Sequence, residues 1–571
     1  MKHLISSIFL IIIAEFIFLQ CANPLRPSGG PKDTIPPTLL FSNPQNQTLN
    51  FSGQEIKLYF DEYISADKMR QKLIITPNTN TKYKHIVKKR DLILKFDKQF
   101  KDSTTFTFNF FDGVVDITEK NPVENLILAI STGAYIDSLR VIGSVRDLFT
   151  HKVLAKTTVG LYQLNDTLDI LMDAPYYFVT TLENGTYEIR NIKTGKYKIA
   201  AFVDENKNLK LDVATEQYAF TNDTIIPNTD PDSTYLQAIK IDASSLRFIS
   251  ARPSGKYFDA RYNKTLNKYF VRPLDSTETI YHTLNNEKDA IRFYNHNNSS
   301  EQDSVAVILQ ASDTVDNTTI DTAFVKFKAS VRKSVDFNYS LAPKKSSSVE
   351  LNTIYNLRFN KPILHADTSF ISYTLDTLKT IKLKPIDPKW NDNKTQLSFK
   401  LDFDKIHYQD TLHKYLSLYA PDTLQIDSVK LGYYNLLNRI PQNKFIIKIN
   451  NQSFISVESD TSKVLTQLYQ FYESENYGTI RLKLTTDKTS YFVQLINSQG
   501  NPIKQLFNCA ECKFDNINPG DYSFRILIDD NQNGRWEIGN IGKSKEPETI
   551  INLSEKSALR ANWSLDIDYS F

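Results

Sequence analysis

Polar and apolar residues alternate with a period of two along much of this chain. Ile56, Leu58 and Phe60 share a face in EIKLYF, as do Leu92, Leu94 and Phe96 in DLILKF and Phe106, Phe108 and Phe110 in TFTFNF. Successive side chains of an extended strand point to opposite faces, so the pattern predicts half-buried antiparallel strands. The strands are short and bounded by Asn, Asp and Pro, which must make most of the turns because only 17 of 571 residues are glycine. One stretch departs from this rule. Val464, Leu465, Leu468 and Phe471 recur at helical spacing and predict a short linker helix between residues 459 and 475.

With 35 Phe, 30 Tyr and 41% hydrophobic residues, the expected class is all-β, and the length suggests about four domains. Lys and Arg number 68 against 65 Asp and Glu, and no basic run is interleaved with aromatics, so nucleic acid is not an expected partner.

Two internal repeats refine the architecture. Ile189, Asn191, Ile192, Gly195, Tyr197, Asp204, Asn206 and Asn208 are matched by Phe514, Asn516, Ile517, Gly520, Tyr522, Asp529, Asn531 and Asn533, at a constant offset of 325 residues. Each copy reads as strand, Gly turn, strand and an Asx-rich loop. These modules resemble the prealbumin-like or carboxypeptidase-regulatory-like sandwiches of exported proteins. A weaker repeat joins Phe60-Asp61-Glu62-Tyr63-Ile64, Tyr262-Asn263-Lys264-Thr265-Leu266 and Phe359-Asn360-Lys361-Pro362-Ile363. Its first copy, between Pro36-Pro37 and the segment Asp112 to Asn121, resembles the bacterial Ig-like module of surface-layer proteins.

The amino end reads as a leader expected to be removed. Met1, Lys2 and His3 precede an apolar run from Leu4 to Leu19 centred on Ile11, Ile12 and Ile13. That run is shorter than the ~20 residues of a bilayer span, and Glu15 would be costly within one. Phe18-Leu19-Gln20-Cys21 resembles the lipobox of bacterial lipoproteins, although Gln20 departs from its small residues. The resemblance implies acylation, typically palmitate, at Cys21. Pro24, Pro27, Gly29, Gly30, Pro31, Pro36 and Pro37 then form a tether.

The opening C-A-N-P-L-R-P-S-G-G-P-K-D-T-I-P-P, the Ig-like module and the D-x-N-x-N sandwich together resemble the large Ig-like envelope lipoproteins of Bacteroidota. The expected organisation is a signal peptide (1–20), a lipidated tether (21–35), an Ig-like domain (36–134), a prealbumin-like sandwich (135–228), a β-sandwich (229–332), an Ig-like domain (333–452), a partly helical linker (453–477) and a prealbumin-like sandwich (478–571).

Candidate chemistry is sparse. Asp204, Asn206, Asn208 and Asp212, and likewise Asp529, Asn531, Asn533 and Glu537, offer oxygens at alternate positions, a spacing with which a tight loop wraps a structural Ca²⁺. Gly534 sits where such a loop turns sharply, whereas Leu209 holds that place in the first copy. Neither loop has a glutamate at the twelfth position, where Thr215 and Asn540 stand, and an Asn/Asp turn capping its own backbone is the competing explanation. Thr34, Thr167, Thr224, Thr377, Thr411 and Thr423 each lie in an Asp-Thr-aliphatic tripeptide that resembles the O-glycosylation sequon of exported Bacteroidota proteins; the same tripeptide also leads turns into strands. Cys509 and Cys512 are able to oxidise to a disulfide or stay free.

His407 and His413 form the one close histidine pair, and no H-E-x-x-H, G-x-S-x-G or P-loop motif occurs. Asp61 and Glu62, adjacent on a strand, point to opposite faces. The expectation is a non-enzymatic outer-membrane lipoprotein, a scaffold or partner-binding subunit of an envelope complex. The resemblance suggests machinery for outer-membrane protein assembly or export. A surface glycan-binding or adhesive protein is the first alternative and an envelope-polymer hydrolase the second. Ala22, Asn23, Pro24, Leu25 and Arg26 follow Cys21 without an acidic residue, which favours the periplasmic face over the cell surface.

Overall fold

The computed structural model describes residues 33–78, 81–296, 304–350, 352–376, 379–381, 385–401, 444–472 and 474–571. Strands dominate it, and helix among these residues is confined to short turns such as Met69–Lys72. The predicted alternation is realised: Ile56, Leu58, Phe60, Leu92, Leu94, Phe106, Phe108 and Phe110 lie in one core with almost no exposed surface.

Two strand orders account for the sandwiches among the described residues. In the first sandwich Leu39–Asn43, Glu55–Phe60, Asp91–Phe96 and Tyr83–Lys88 lie side by side in that order, and Ile74–Thr76, Thr105–Asn109 and Ile127–Ser131 form the facing sheet. Numbered along the sequence, with two-residue strands set aside, the sheets read 1-2-5-4 and 3-6-7. The third sandwich repeats both: Phe248–Ser254, Tyr257–Tyr262, Ala290–Tyr294 and Tyr281–Leu284 form one sheet, and Lys268–Pro273, Val305–Ser312 and Thr318–Val325 the other. So does the fourth, once the short strands Ile363–Ala366, Lys379–Ile381 and Phe454–Ser456 are also set aside, through Tyr339–Ala342, Ile354–Phe359, Gln396–Lys400 and Ile386–Trp390 in one sheet and Ile371–Asp376, Lys444–Ile449 and Leu465–Phe471 in the other.

The other two sandwiches share a different order, 4-1-7 and 3-2-5-6. Between Leu139 and Ala238 the sheets are Thr186–Ile192, Leu139–Asp147, Ser233–Ala238 and Tyr177–Thr180, Thr158–Gln163, Tyr197–Phe202, Tyr218–Ile225. Between Gly478 and Ser570 they are Glu511–Ile517, Gly478–Thr485, Ser564–Ser570 and Pro502–Phe507, Tyr491–Asn497, Gly520–Ile528, Ile550–Leu559. By contact the chain divides into two units, Met1–Val145 with Val153–Leu211 and Asp223–Leu236, and Arg146–Lys152 with Asp212–Asn222 and Gln237–Phe571.

The linker helix is a correction. Leu465–Phe471 is a strand, paired antiparallel with Lys444–Ile449 and parallel to Ser348–Val349. Leu465, Tyr469 and Phe471, all odd-numbered, face the core of the fourth sandwich, and Tyr469 is fully buried there. Tyr469, four residues after Leu465, fits the helical period as well as the strand, so the local pattern does not decide and the waiting sheet edge does. Phe454 also lies in this core, so the fourth sandwich extends past residue 452 and leaves no separate linker at 453–471.

Candidate functional site

The 325-residue repeat holds at the level of atoms. Asn191 and Asn516 both take left-handed backbone angles, φ 58° and 56°, and so do Lys207 and Gln532 at 59° and 58°. The Tyr197 hydroxyl donates to the Lys193 carbonyl at 2.9 Å, and the Tyr522 hydroxyl to the Asn518 carbonyl at 2.8 Å. At the sharp turn Gly534 has φ 81° while Leu209 has φ 57°. An L side chain resists that region, so the first copy carries strain that the glycine avoids.

Both loops are built around an aspartate that receives backbone donors. Asp204 accepts from Asn208 N–H at 3.1 Å and Leu209 N–H at 3.0 Å, and Asp529 from Asn533 N–H at 3.0 Å and Gly534 N–H at 2.8 Å. Asn206 and Asn531 each accept from the N–H two residues on, as do Asn208 and Asn533. Asp212 caps the N–H of Ala214 and the hydroxyl of Thr215, while its own N–H donates to Glu216.

In the C-terminal loop the Ser490 hydroxyl adds a third bond to Asp529, at 2.7 Å. Burial pushes the Asp529 carboxyl upward, but Ser490 and the N–H groups of Gly534 and Asn533 outweigh it and hold it below the usual carboxylate range. Glu537 is also buried, yet Lys545, Asn531 and Arg535 hold it below its ordinary value. Arg535 Nη2 lies 2.8 Å from one Glu537 oxygen, and Lys545 Nζ bonds the other. The sequence reading missed Glu548, whose carboxylate receives the Glu537 N–H at 2.7 Å. Burial raises the Glu548 carboxyl, and the charges of Glu537 and Asp529 add to the effect. Its position, seventeen residues beyond Asn531 and across a turn, gave no spacing to recognise.

The predicted ligands are thus brought together, but their charge is balanced by the chain's own cations and backbone N–H groups. Both loops form self-capped Asx turns, and a calcium ion would draw on these same carboxylate oxygens. Millimolar calcium is expected to leave the thermal unfolding midpoint unchanged; a rise of several degrees would show the ion displacing Lys545.

This loop also packs within the second unit. Arg535 reaches Asp316 at 2.9 Å, Asn540 donates to the Val315 carbonyl at 3.2 Å, and the Trp536 ring meets Phe149 with centroids 5.7 Å apart.

The weaker repeat proves to be a lock common to three sandwiches. Its Asx residue fastens the entry to the first strand: Asp61 accepts from Thr38 N–H at 2.8 Å, Asn263 from Arg247 N–H at 2.8 Å, and Asn360 from Asn338 N–H at 2.9 Å. The next residue faces a carboxylate from the loop between strands six and seven. Lys264 Nζ lies 2.6 Å from buried Asp313, and Lys361 Nζ lies 2.6 Å from Glu458 and 2.5 Å from Asp460. In the first sandwich that residue is Glu62, and the loop carboxylate, Asp116, is held by the N–H groups of Glu119, Lys120 and Asn121. Burial, then the charges of Asp116, Asp61 and Asp33, raise the Glu62 carboxyl. Glu62→Lys should therefore stabilise this sandwich by about 1 kcal/mol, and by more than Glu62→Gln, in urea unfolding.

The remaining expected sites are scattered. Cys509 and Cys512 form a disulfide, with Cys512 buried. Thr34, Thr167 and Thr224 are exposed, and the Thr167 hydroxyl donates to Asn165 at 3.0 Å. Cys21, Thr377, Thr411, Thr423, His407 and His413 lie outside the described residues. Trp390 stacks on Phe359, Trp536 donates to the Glu548 carbonyl and exposed Trp563 lies under Arg560, so the three tryptophans do not share one face. Among the described residues no helix is long and apolar enough to cross a membrane.

Residues 33–131 match the family model of a bacterial Ig-like domain, and residues 176–244 match that of an uncharacterized protein conserved in bacteria, DUF2141. No curated protein sequence matches the chain. Among solved structures it is similar to the TIE protein of Bacillus anthracis (9% identity, 95% of this chain, 76% of that one, TM-score 0.13). Similarity also extends to BcpA, the major pilin subunit of Bacillus cereus (12% identity, 76% and 99%, TM-score 0.12), and to the S-layer protein rSbsC (8% identity, 92% and 67%, TM-score 0.14).

Proposed function

We propose that this chain is a non-enzymatic envelope lipoprotein, anchored in the outer membrane through acylated Cys21, that serves as a scaffold or partner-binding subunit of an envelope complex. The observation that supports this reading most is repetition: two strand orders, one used three times and one twice, with the polar residues of each repeat spent on internal locks and caps. Such modules multiply surface and exposed sheet edges, which suit binding by strand addition or face packing. Machinery for outer-membrane protein assembly or export is the proposed partner.

Affinity purification from gently solubilised membranes is the test. An outer-membrane barrel should co-purify in stoichiometric amount and be lost when Cys21→Ser releases the chain from the membrane. Recovery of the lipoprotein alone would count against the reading.

A further inference from the structure

The third sandwich carries a concentration of positive charge that none of its locks uses. A groove of about 480 Å³ runs beside the hairpin of Phe248–Ser254 and Tyr257–Tyr262, and Arg252, Arg261, Lys328 and Arg332 line it. Arg261 is held by Asp289 at 2.7 Å. Asp259, the carboxylate in the lining, is buried and already bound by Arg292 through two bonds of 2.9 Å. Arg252 stands directly across the strand pair from Asp259 but outside ion-pair distance of it, and the side-chain cations of Lys328 and Arg332 have no partner among the described residues. The groove therefore presents three uncompensated cations.

The walls are built rather than incidental. Gly255 turns the hairpin at φ 65°, and a Cβ there would lie 3.4 Å from the Arg332 side chain, so the segment bearing Arg332 crosses close over the turn. That segment turns locally at Ser330 and is anchored at Val335. Arg332 N–H donates to the Ser330 hydroxyl, and Val335 N–H donates at 2.9 Å to the Tyr257 hydroxyl, which in turn donates to Glu458. Besides the cations the lining offers the hydroxyls of Ser250, Ser254 and Ser330.

This composition selects among anions. Guanidinium forks match the paired oxygens of phosphate and sulfate, and serine hydroxyls complement a hydroxyl-rich carrier. No aromatic residue lines the groove, and Tyr257 of the same hairpin is buried and covered by Arg292 at 4.5 Å, so the lining offers no ring face for stacking a nucleobase. We propose that this groove binds the phosphate or sulfate groups of an anionic oligosaccharide. The proposal stands apart from the scaffold reading and neither needs the other.

Dextran sulfate of low mass is a suitable probe, with neutral dextran, poly-glutamate and inorganic phosphate as comparison arms in calorimetric titrations of the whole chain. Dextran sulfate should bind and neutral dextran should not. Inorganic phosphate should compete if phosphate esters are also taken, and its failure would narrow the ligand to sulfate esters. The triple variant Arg252→Ala, Lys328→Ala, Arg332→Ala should lose at least about tenfold in affinity while its unfolding midpoint stays in place, because all three side chains are exposed. A control variant, Lys84→Ala, Lys88→Ala, Lys95→Ala on the first sandwich, should keep full affinity. Equal losses in the two variants, no loss in the first, or poly-glutamate binding as tightly as dextran sulfate would each overturn the proposal.

Discussion

Replacing Lys361 with alanine should destabilise the fourth sandwich by about 2–3 kcal/mol, below the ~3–5 kcal/mol of a fully buried pair because one partner carboxylate reaches solvent. The side chain is 1% exposed, and its ammonium is the shared counter-ion of Glu458 and Asp460. Without it two carboxylates converge unpaired, Glu458 half-buried and Asp460 partly open to solvent, and Glu458 also anchors the Ser334 and Tyr257 hydroxyls. Burial alone would lower the Lys361 pKa, but its bonds to Asp460 and Glu458 outweigh that and raise it. A raised ammonium contributes stability fully present below its unfolded pKa of ~10.4 and lost only as pH climbs through the higher folded value. The variant's deficit should therefore be constant across neutral pH and shrink only as pH climbs through the raised Lys361 value. Urea unfolding of Lys361→Ala and Lys361→Met at pH 7 would read the effect; a Met variant as stable as the wild type would show that lost packing, not charge, is responsible.

Asp529→Ala should cost about 3 kcal/mol or more in the C-terminal sandwich. The carboxylate is 2% exposed and receives the Asn533 and Gly534 N–H groups and the Ser490 hydroxyl. Each buried donor left unpaired costs about 1–3 kcal/mol. Asp529→Asn, which keeps acceptor capacity on one oxygen only, should fall between the two. Asp529 and Glu537 are both held below their ordinary values, so their contribution is present above the unfolded pKa values of ~3.9 and ~4.3 and is lost as pH falls through the folded ones. Glu548 is raised and acts in the opposite sense, its ionisation opposing stability as pH rises through its folded value. Acid unfolding followed by fluorescence of Trp536, which touches this loop through Glu548, should be shifted to higher pH in Asp529→Ala. An unshifted acid transition would mean that the aspartate does not organise the loop.

The sandwich class was legible because burial on one face imposes a period of two that survives in the sequence, as at Ile56, Leu58 and Phe60. The 325-residue repeat was legible for a related reason: its glycine, tyrosine and Asx positions each answer to a local backbone demand, and the same demand recurs in the second copy. The strand Leu465–Phe471 was not legible, since what makes it a strand is the sheet edge offered by Lys444–Ile449 rather than its own composition. The lock residues were visible as a repeated Asx and charge, but their partners Asp313, Glu458 and Asp460 lie tens of residues away in loops without any common spacing.

By itself, then, the order of residues determined strand periodicity, turn chemistry and the repeated loops, all of which depend on neighbours a few positions apart. Tertiary structure decided which charges meet. It set Lys361 between two distant carboxylates, balanced Glu537 with Arg535 and Lys545, and left Arg252, Lys328 and Arg332 facing one groove unpaired. Coulomb interactions act through space and depend on burial, and neither the distance nor the dielectric is written in a linear chain.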